Sequence, residues 1–270
     1  MHRKLVYKEP QRNNSDQIRK GNSAMELSGH LALITGAGQG IGRACAEAFA
    51  LKGADLILFD KNPESLSETA DKITGSGRQV FTRALDLTDM DMLKEAVAEA
   101  KRRGHIDILV NNAGFDRPGT SAKISTEEFL EVLNIHVVVP FVLIQLLLPA
   151  MREGGWGRIV NVSSIYALIG AKAEVAYSTA KAAVIGLTKS VAREAGKDGV
   201  TVNTVLPGLT RTPTIESLMA EKYKQPIIDN TTLGRMGEAG EIASVIAFLA
   251  SDAASFITAT PIPVSGGWGI

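Results

Sequence analysis

Cysteine is almost absent: Cys45 stands alone in 270 residues. That excludes an internal disulfide and any zinc site built from several thiolates, and no metal site is expected. The setting of Cys45, GRACAEAFA, consists of small helix-forming residues, so the thiol is expected to be buried and inert. Neither sign of charge predominates. Twenty-nine Lys and Arg balance 29 Asp and Glu, which excludes the broad positive field that holds nucleic-acid phosphates. The amino end lacks the apolar core, roughly 7–15 residues long, of a secretory signal, and a cytoplasmic location is expected. Long uncharged runs are scarce too. The one from Val132 to Met151 carries Asn134, His136, Pro140, Gln145 and Pro149, too many polar groups and breakers for a membrane span. It reads as a helix buried on most sides, in part by another subunit.

What is present is a chain of soluble proportions, 45% hydrophobic and 21% charged. Its length allows well over half of the unfolded surface to be buried without a covalent staple. Residues 1–24 carry Arg3, Lys4, Lys8, Arg12, Arg19 and Lys20 against Glu9 and Asp16, with few large apolar side chains. Such a segment buries too little to offset its ordering entropy and reads as a flexible extension. Residues 25–270 read as one domain.

Short β-branched runs alternate with longer helical patterns along that domain. Strands are expected at 31–35, 55–60, 79–86, 107–111, 158–163, 200–206 and 260–264. Helices are expected near 42–52, 63–75, 89–103, 126–151, 175–196 and 239–250. Several strands are apolar throughout, the mark of strands covered on both faces. The pattern predicts an α/β fold, a doubly wound parallel sheet of seven strands with helices on both sides. Ligands of such sheets lie beyond the carboxyl ends of the strands, so the residues after each strand matter most.

The first strand runs into Gly36-Ala37-Gly38-Gln39-Gly40-Ile41-Gly42 and then a helix. Placed there, glycines let a pyrophosphate approach backbone N–H groups at a helix N-terminus, because no Cβ holds it away. Asp60 ends the second strand, 18 residues past Gly42, where a carboxylate accepts from ribose hydroxyls and repels a 2′-phosphate. NAD is therefore favoured over NADP, with Lys61 beside it as the feature that offsets the repulsion and keeps NADP open. Asp86 and the N–H of Leu87 suit an adenine. Asn111, Asn112, Ala113 and Gly114 end the fourth strand, where the small residues let the backbone approach an adenosine and the two amides serve a ligand or a neighbouring strand equally well.

Tyr177 and Lys181 stand at i and i+4, on one face of a helix. A free phenol titrates near pH 10, and an adjacent ammonium favours the phenolate, which would let Tyr177 exchange a proton with a carbonyl or carbinol oxygen. Lys181 would also bond a ribose. Ser164, 13 residues before Tyr177, is preferred over Ser163 as a second donor to that oxygen. Asn134, a poor helix former among apolar neighbours, needs partners for its amide.

TGAGQGIG, NNAG, the VSS strand end, YSTAK and LPGLTRT, in this order, resemble the short-chain dehydrogenase/reductase family over residues 27–269. The resemblance implies a Rossmann-type fold and a tetrad of Asn134, Ser164, Tyr177 and Lys181. It also implies that Pro207-Gly208 turns under a nicotinamide, that Thr210 meets its carboxamide and that the Thr212 hydroxyl reaches the cofactor. Gln39 is neutral where many NADP-using members carry a basic residue. The family implies a homotetramer, or a dimer, built from the helices at 126–151 and 175–196. The expected reaction is hydride exchange between nicotinamide and a secondary alcohol or ketone, with an NADPH-dependent 3-oxoacyl-thioester reductase as the alternative. A non-catalytic nucleotide-binding scaffold is the remote one. The substrate pocket is expected between Phe115–Gly119, Ile165–Glu174 and a lid at 212–234. Tyr166 and Phe115 serve an apolar or ring-shaped ligand or simple packing, and Glu174 and Arg117 are pocket groups or solvated loop charges, the latter preferred.

Overall fold

Strands that are apolar on both sides need cover on both faces, and the computed structural model, which describes residues 26–270, supplies it. The expected extension over 1–24 lies outside the described residues. In chain order the elements are β1 (Leu31–Thr35), α1 (Gly40–Leu51), β2 (Asp55–Asp60), α2 (Pro63–Thr74), β3 (Val80–Ala84), α3 (Met90–Lys101) and β4 (Ile108–Asn111). There follow α4 (Thr126–Leu133), α5 (Val139–Glu153), β5 (Gly157–Val162), α6 (Tyr166–Ile169), α7 (Val175–Ala195) and β6 (Val200–Pro207). The chain ends through β7 (Thr210–Arg211), α8 (Pro213–Leu218), α9 (Glu221–Asp229), β8 (Gly237–Glu238), α10 (Ala239–Leu249) and β9 (Pro261–Val264).

Seven strands form one parallel sheet in the order β3-β2-β1-β4-β5-β6-β9. In β1, Ala32 and Ile34 point to one core with Cys45, Phe49 and Ile246 of α1 and α10. Leu33 points to the other, with Leu93, Leu143, Leu147 and Val191 of α3, α5 and α7. Two-residue alternation thus feeds both layers from one short run. Cys45 is buried, and burial pushes its thiol well above the ordinary range, as an inert core residue requires. β1 pairs with β2 on one side and β4 on the other, so the chain reverses its direction of winding there and a crevice opens beyond the strand ends.

The helix expected over 126–151 is not continuous. It breaks into α4 and α5 around a π-turn at Asn134–Val138, where the Val139 N–H bonds the Asn134 carbonyl. Pro140 has no N–H to offer His136 four residues back, which loosens the ladder at this point. The span Thr126–Glu153 is long and apolar enough to cross a membrane by composition, yet half of its most apolar window is buried inside the protein. Leu130, Val138 and Phe141 remain exposed on its outer side.

A polar row crosses the core beneath the crevice. Asn111 Nδ2 donates to Asn161 Oδ1 (2.8 Å), Asn161 Nδ2 to Thr188 Oγ1 (2.9 Å), and the Thr204 hydroxyl to Thr188 Oγ1 (2.5 Å). It links β4, β5, β6 and α7. Thr188→Val keeps the shape but leaves the Asn161 and Thr204 donors buried without a partner, so urea unfolding should show a loss of about 1–3 kcal/mol. A loss below about 0.5 kcal/mol, the range of neutral surface changes, would show the row to be dispensable.

Candidate active site

The glycine turn is shaped by what surrounds it. The Thr35 hydroxyl accepts the N–H groups of Asn112 (3.0 Å) and Ala113 (3.1 Å), locking the ends of β1 and β4 together. Asn112 Nδ2 donates to the Thr35 and Gly36 carbonyls at 3.0 and 3.2 Å, so this amide is a strut under the turn. Asn111 likewise faces Asn161 and takes the structural option, whereas Asn112 braces the turn and also lines the cleft. Gly36 has φ +65°, and a Cβ there would stand 2.9 Å from Ala113 Cα. A Cβ on Gly42 would run into the Gly36 carbonyl. Only glycine fits either place.

Asp60 is held at the tip of β2 by the Gly38 N–H (2.8 Å to Oδ2) and the Asn62 N–H (3.0 Å to Oδ1). Arg43, the cation that follows the glycines, is consumed elsewhere: Nε bonds the Gly38 carbonyl and Thr69, and Nη2 bonds the Ser65 carbonyl and Glu68. The crevice is a cleft of about 790 Å³, a size that suits a cofactor with a small substrate. Gly36, Gln39, Gly40 and Ile41 line it from the turn, and Asp60 and Lys61 from β2. Asp86, Leu87, Ala113 and Gly114 line its floor. Gly38 anchors Asp60 through its N–H and Gly42 packs against the Gly36 carbonyl within the turn. The Asp86 carboxyl is held below the usual range by the hydroxyl and N–H of Thr88, at 2.7 and 2.9 Å. At the opposite wall Gly208 donates to the Val264 carbonyl and Thr210 Oγ1 to the Gly208 carbonyl, each at 3.0 Å. Pro207, Gly208, Thr210 and Thr212 all line the cleft, although the Thr212 hydroxyl is also engaged, accepting the Ile215 N–H to cap α8.

The reacting end is built by β5 and α7. Ser163 Oγ donates to the Lys181 carbonyl (2.7 Å) and is structural, while Ser164 faces the cleft and accepts the Tyr166 N–H at 3.2 Å. Lys181 is 3% exposed; its Nζ donates to the Val162 carbonyl (2.8 Å) and lies 5.3 Å from the centre of the Tyr177 ring. Asn134 enters from the π-turn and lines the cleft. His136, absent from the sequence-based site, packs its ring edge-on to Tyr177 at 5.4 Å, and Nε2 donates to the Phe115 carbonyl at 2.8 Å. Burial, and then the charge on Lys181, hold this imidazole neutral. The ring also explains Gly114, where any Cβ would overlap it.

The expected depression of the Tyr177 pKa by Lys181 is not found in the chain alone. Burial is the largest influence on both groups: it holds the phenol well above its ordinary value and draws Lys181 down to about 7. The charges on Asp116 and Glu174 raise Tyr177 further, and the Ser164 hydroxyl pulls it back. Desolvation moves the two apart because the charged form of each would have to leave water.

Glu174 takes the less favoured of its two readings, that of a pocket group. It is half-buried and lines the cleft opposite Asp116, a residue the sequence singled out only as part of a bounding segment. Arg117 is exposed as expected, paired with Glu131 at 3.4 Å over the Phe115 ring. Tyr166 packs edge-on against Trp268 (5.4 Å) and Tyr177 (6.4 Å). Trp268 escaped the sequence reading, though Gly266, Gly267 and Gly269 around it, all at positive φ, announce the tight loop that folds it back over the cleft. Among the described residues no three His, Cys, Asp or Glu gather as metal ligands.

A cleft that offers a glycine cradle and a fixed acid at one end and a serine–tyrosine–lysine cluster at the other is that of a dinucleotide-dependent oxidoreductase. The chain belongs to the short-chain dehydrogenase/reductase family. A family model described as enoyl-(acyl carrier protein) reductase matches residues 36–269. The 3-oxoacyl-[acyl-carrier-protein] reductase of Thermotoga maritima is 38% identical over 90% of this chain and 99% of its own. Among solved structures, a 7α-hydroxysteroid dehydrogenase complexed with NADH and 7-oxo glycochenodeoxycholic acid is 32% identical, with a TM-score of 0.88 over 92% of this chain and 98% of its own. A levodione reductase is 34% identical, with a TM-score of 0.86 over 89% and 98%. The protein is thus an NAD(P)-dependent enzyme acting on CH–OH groups and the corresponding carbonyls.

Lys181 carries a stability signature with a definite sign. Its folded pKa, about 7, lies below the ordinary value of 10.5, so between the two the unfolded chain binds a proton that the folded chain does not. Stability contributed by this group therefore rises with pH across that window. Lys181→Met should be flatter than the parent between pH 7 and 10 and more stable at pH 7 by about 1–3 kcal/mol, even after losing the Val162 bond. Parallel unfolding curves for parent and variant over that range would disprove the assignment.

Proposed function

We propose that the enzyme interconverts a secondary alcohol and a ketone with NAD as the preferred cofactor, and that Asn134, Ser164, Tyr177 and Lys181 carry the reaction. The observation that carries this reading is the placement of Ser164, Tyr177 and Lys181 on one wall of the cleft whose other end holds Asp60. The bound dinucleotide supplies or accepts the hydride. Tyr177 gives its proton to the carbonyl oxygen in reduction and takes one from the carbinol in oxidation. Its raised pKa suits the donor role, since the phenol keeps its proton at neutral pH. Ser164 donates a hydrogen bond to the same oxygen. Lys181 holds the nicotinamide ribose, and Asn134 completes a polar path from α4 toward it. Pro207, Gly208, Thr210 and Thr212 hold the nicotinamide side, and Asp86 and Leu87 the adenine.

The NAD preference rests on charge. Asp60 is fixed by two N–H groups, Gln39 is neutral, and Arg43 is spent on Thr69, Ser65 and Glu68, leaving Lys61 as the cation near a 2′-phosphate. The alternative, a 3-oxoacyl-thioester reductase using NADPH, is favoured by the names of several relatives. Against it stands the acidic rather than basic substrate end, with Asp116, Glu131 and Glu174 around Arg117. We also place the enzyme in the cytoplasm, which suits its single buried thiol.

Tyr177→Phe should lower kcat by about a thousandfold while the dissociation constant for the dinucleotide stays within about threefold. Near-normal turnover in that variant would remove Tyr177 from the reaction. In a panel of alcohols, ketones and a 3-oxoacyl thioester, kcat/KM should be higher with NADH than with NADPH and higher for the simple ketones. The reverse on both counts establishes the alternative. The exposed Leu130, Val138 and Phe141 on the outer side of α4 and α5 support a homotetramer, and light scattering should return one; a monomer at micromolar concentration would refute it.

A further inference from the structure

Asp116 and Glu174 stand in the cleft beside Tyr166 and Tyr177, Asp116 exposed at its mouth and Glu174 half-buried. Glu174 Oε2 is buried and receives no N–H or O–H among the described residues. One turn along α7, the Ser178 hydroxyl oxygen is buried and equally unpartnered. The group that Glu174 does meet is the carboxyl of Asp116, and two carboxyls bond each other only when one keeps a proton. Nearby cations do not relieve the pair: Arg117 is turned to Glu131, and the Lys181 ammonium is spent on the Val162 carbonyl. The other titratable groups facing it are Tyr166 and Tyr177, and its negative charge works against ionisation of both.

The backbone holds Glu174 in this position at a cost. Ala173 sits at φ +64°, a left-handed conformation that a non-glycine residue rarely adopts, and its carbonyl accepts the Gly119 N–H at 2.7 Å. The loop after β4, which carries Asp116, is thereby tied to the residue preceding Glu174 and presents the two acids together.

We propose that this pair selects the substrate: the alcohol or ketone turned over carries a protonated amine, whose N–H groups displace the proton the two carboxyls otherwise share. The inference deepens the oxidoreductase reading above and rests on it. An ammonium brings up to three donors and a positive charge to two carboxyls that have no ion-pair partner among the described residues, whereas a carboxylate or phosphate on the substrate adds a further acceptor and like charge. Glu174 is held up to about 8 by burial and by Asp116, so the second negative charge, and with it the attraction for a cation, grows as pH rises through 8.

The test uses secondary alcohols matched in length, ending in an ammonium, a methyl or a carboxylate a few carbons from the carbinol. At pH near 9, kcat/KM for the ammonium member should exceed that of the methyl member by about tenfold or more, mainly through KM, with the carboxylate member poorest. The ratio of ammonium to methyl should shrink toward one in Glu174→Gln, and fall in Asp116→Asn; using a ratio removes any common effect on turnover. The parent ratio should also decline as pH falls from 9 to 6. Equal kcat/KM for the ammonium and methyl members in the parent, or a ratio unmoved in both variants, overturns the proposal while leaving the oxidoreductase reading intact. If no alcohol or ketone is turned over, that reading fails instead. Calorimetry then still decides the subsite, which demands about tenfold tighter binding of the ammonium member to the parent and not to Glu174→Gln.

Discussion

Lys181 and the tip of β5 hold each other by two reciprocal bonds, and the geometry of the cleft depends on them. The ammonium donates to the Val162 carbonyl, and the Ser163 hydroxyl, one residue further, donates back to the Lys181 carbonyl. α7 is thereby pinned to the strand end in rotation as well as in distance. Tyr177, one turn earlier on the same face, and Ser164, next along the strand, are brought to one wall as a consequence. A lysine that is 3% exposed is costly to keep, because its charged form has lost water and gained a single carbonyl. Such a cost is typical of sites where stability gives way to chemistry.

The same wall shows why adjacency alone does not set a titration. A phenol and an amine one helical turn apart invite the expectation that each assists the charge of the other. In this chain Lys181 is buried and Tyr177 half-buried at the cleft wall, and desolvation moves them in opposite directions, the phenol up and the amine down. Each therefore rests in its neutral form more readily than in water. Any ligand that brings positive charge near Tyr177, or that shields it from Asp116 and Glu174, shifts this balance toward the phenolate. Catalytic competence is thus a property of the filled cleft, with the protein supplying the positions.

Most of the architecture was legible in the sequence because its causes are local. Short runs such as LALIT and LILF can only be doubly covered strands, and the glycines at 36 and 42 are demanded by contacts so close that no other residue fits. The i, i+4 spacing of Tyr177 and Lys181 survives folding because a helix preserves it. What escaped depends on contacts between distant segments. The π-turn at 134–138 looks like uninterrupted helix in a hydrophobic pattern, although Pro140 marks where the ladder loosens. His136 reads as one polar residue in an apolar helix until Gly114 makes room for its ring. Glu174 reads as a loop charge, and only the bridge between Gly119 and Ala173 brings Asp116 to it. Pairing across loops leaves no period to detect.

Acids at the two ends of the cleft show that residue type says less than its surroundings. Asp60 receives two backbone N–H groups, so its charge is paired with fixed donors and its orientation is set before any ligand arrives. Asp116 and Glu174 receive none that reach the buried oxygen, and they meet each other instead. A satisfied carboxylate at a strand end can discriminate by repulsion without reorganising, which suits the choice between ribose and its 2′-phosphate. A carboxyl with one oxygen buried and unpartnered, as in Glu174, behaves differently: it would discriminate by attraction, because a ligand that brings donors relieves a penalty already present in the folded chain. The strained Ala173 backbone fits that distinction. Strain is retained where the group it presents gains more from a ligand than the turn loses in the free protein, and Glu174 is the group this turn presents.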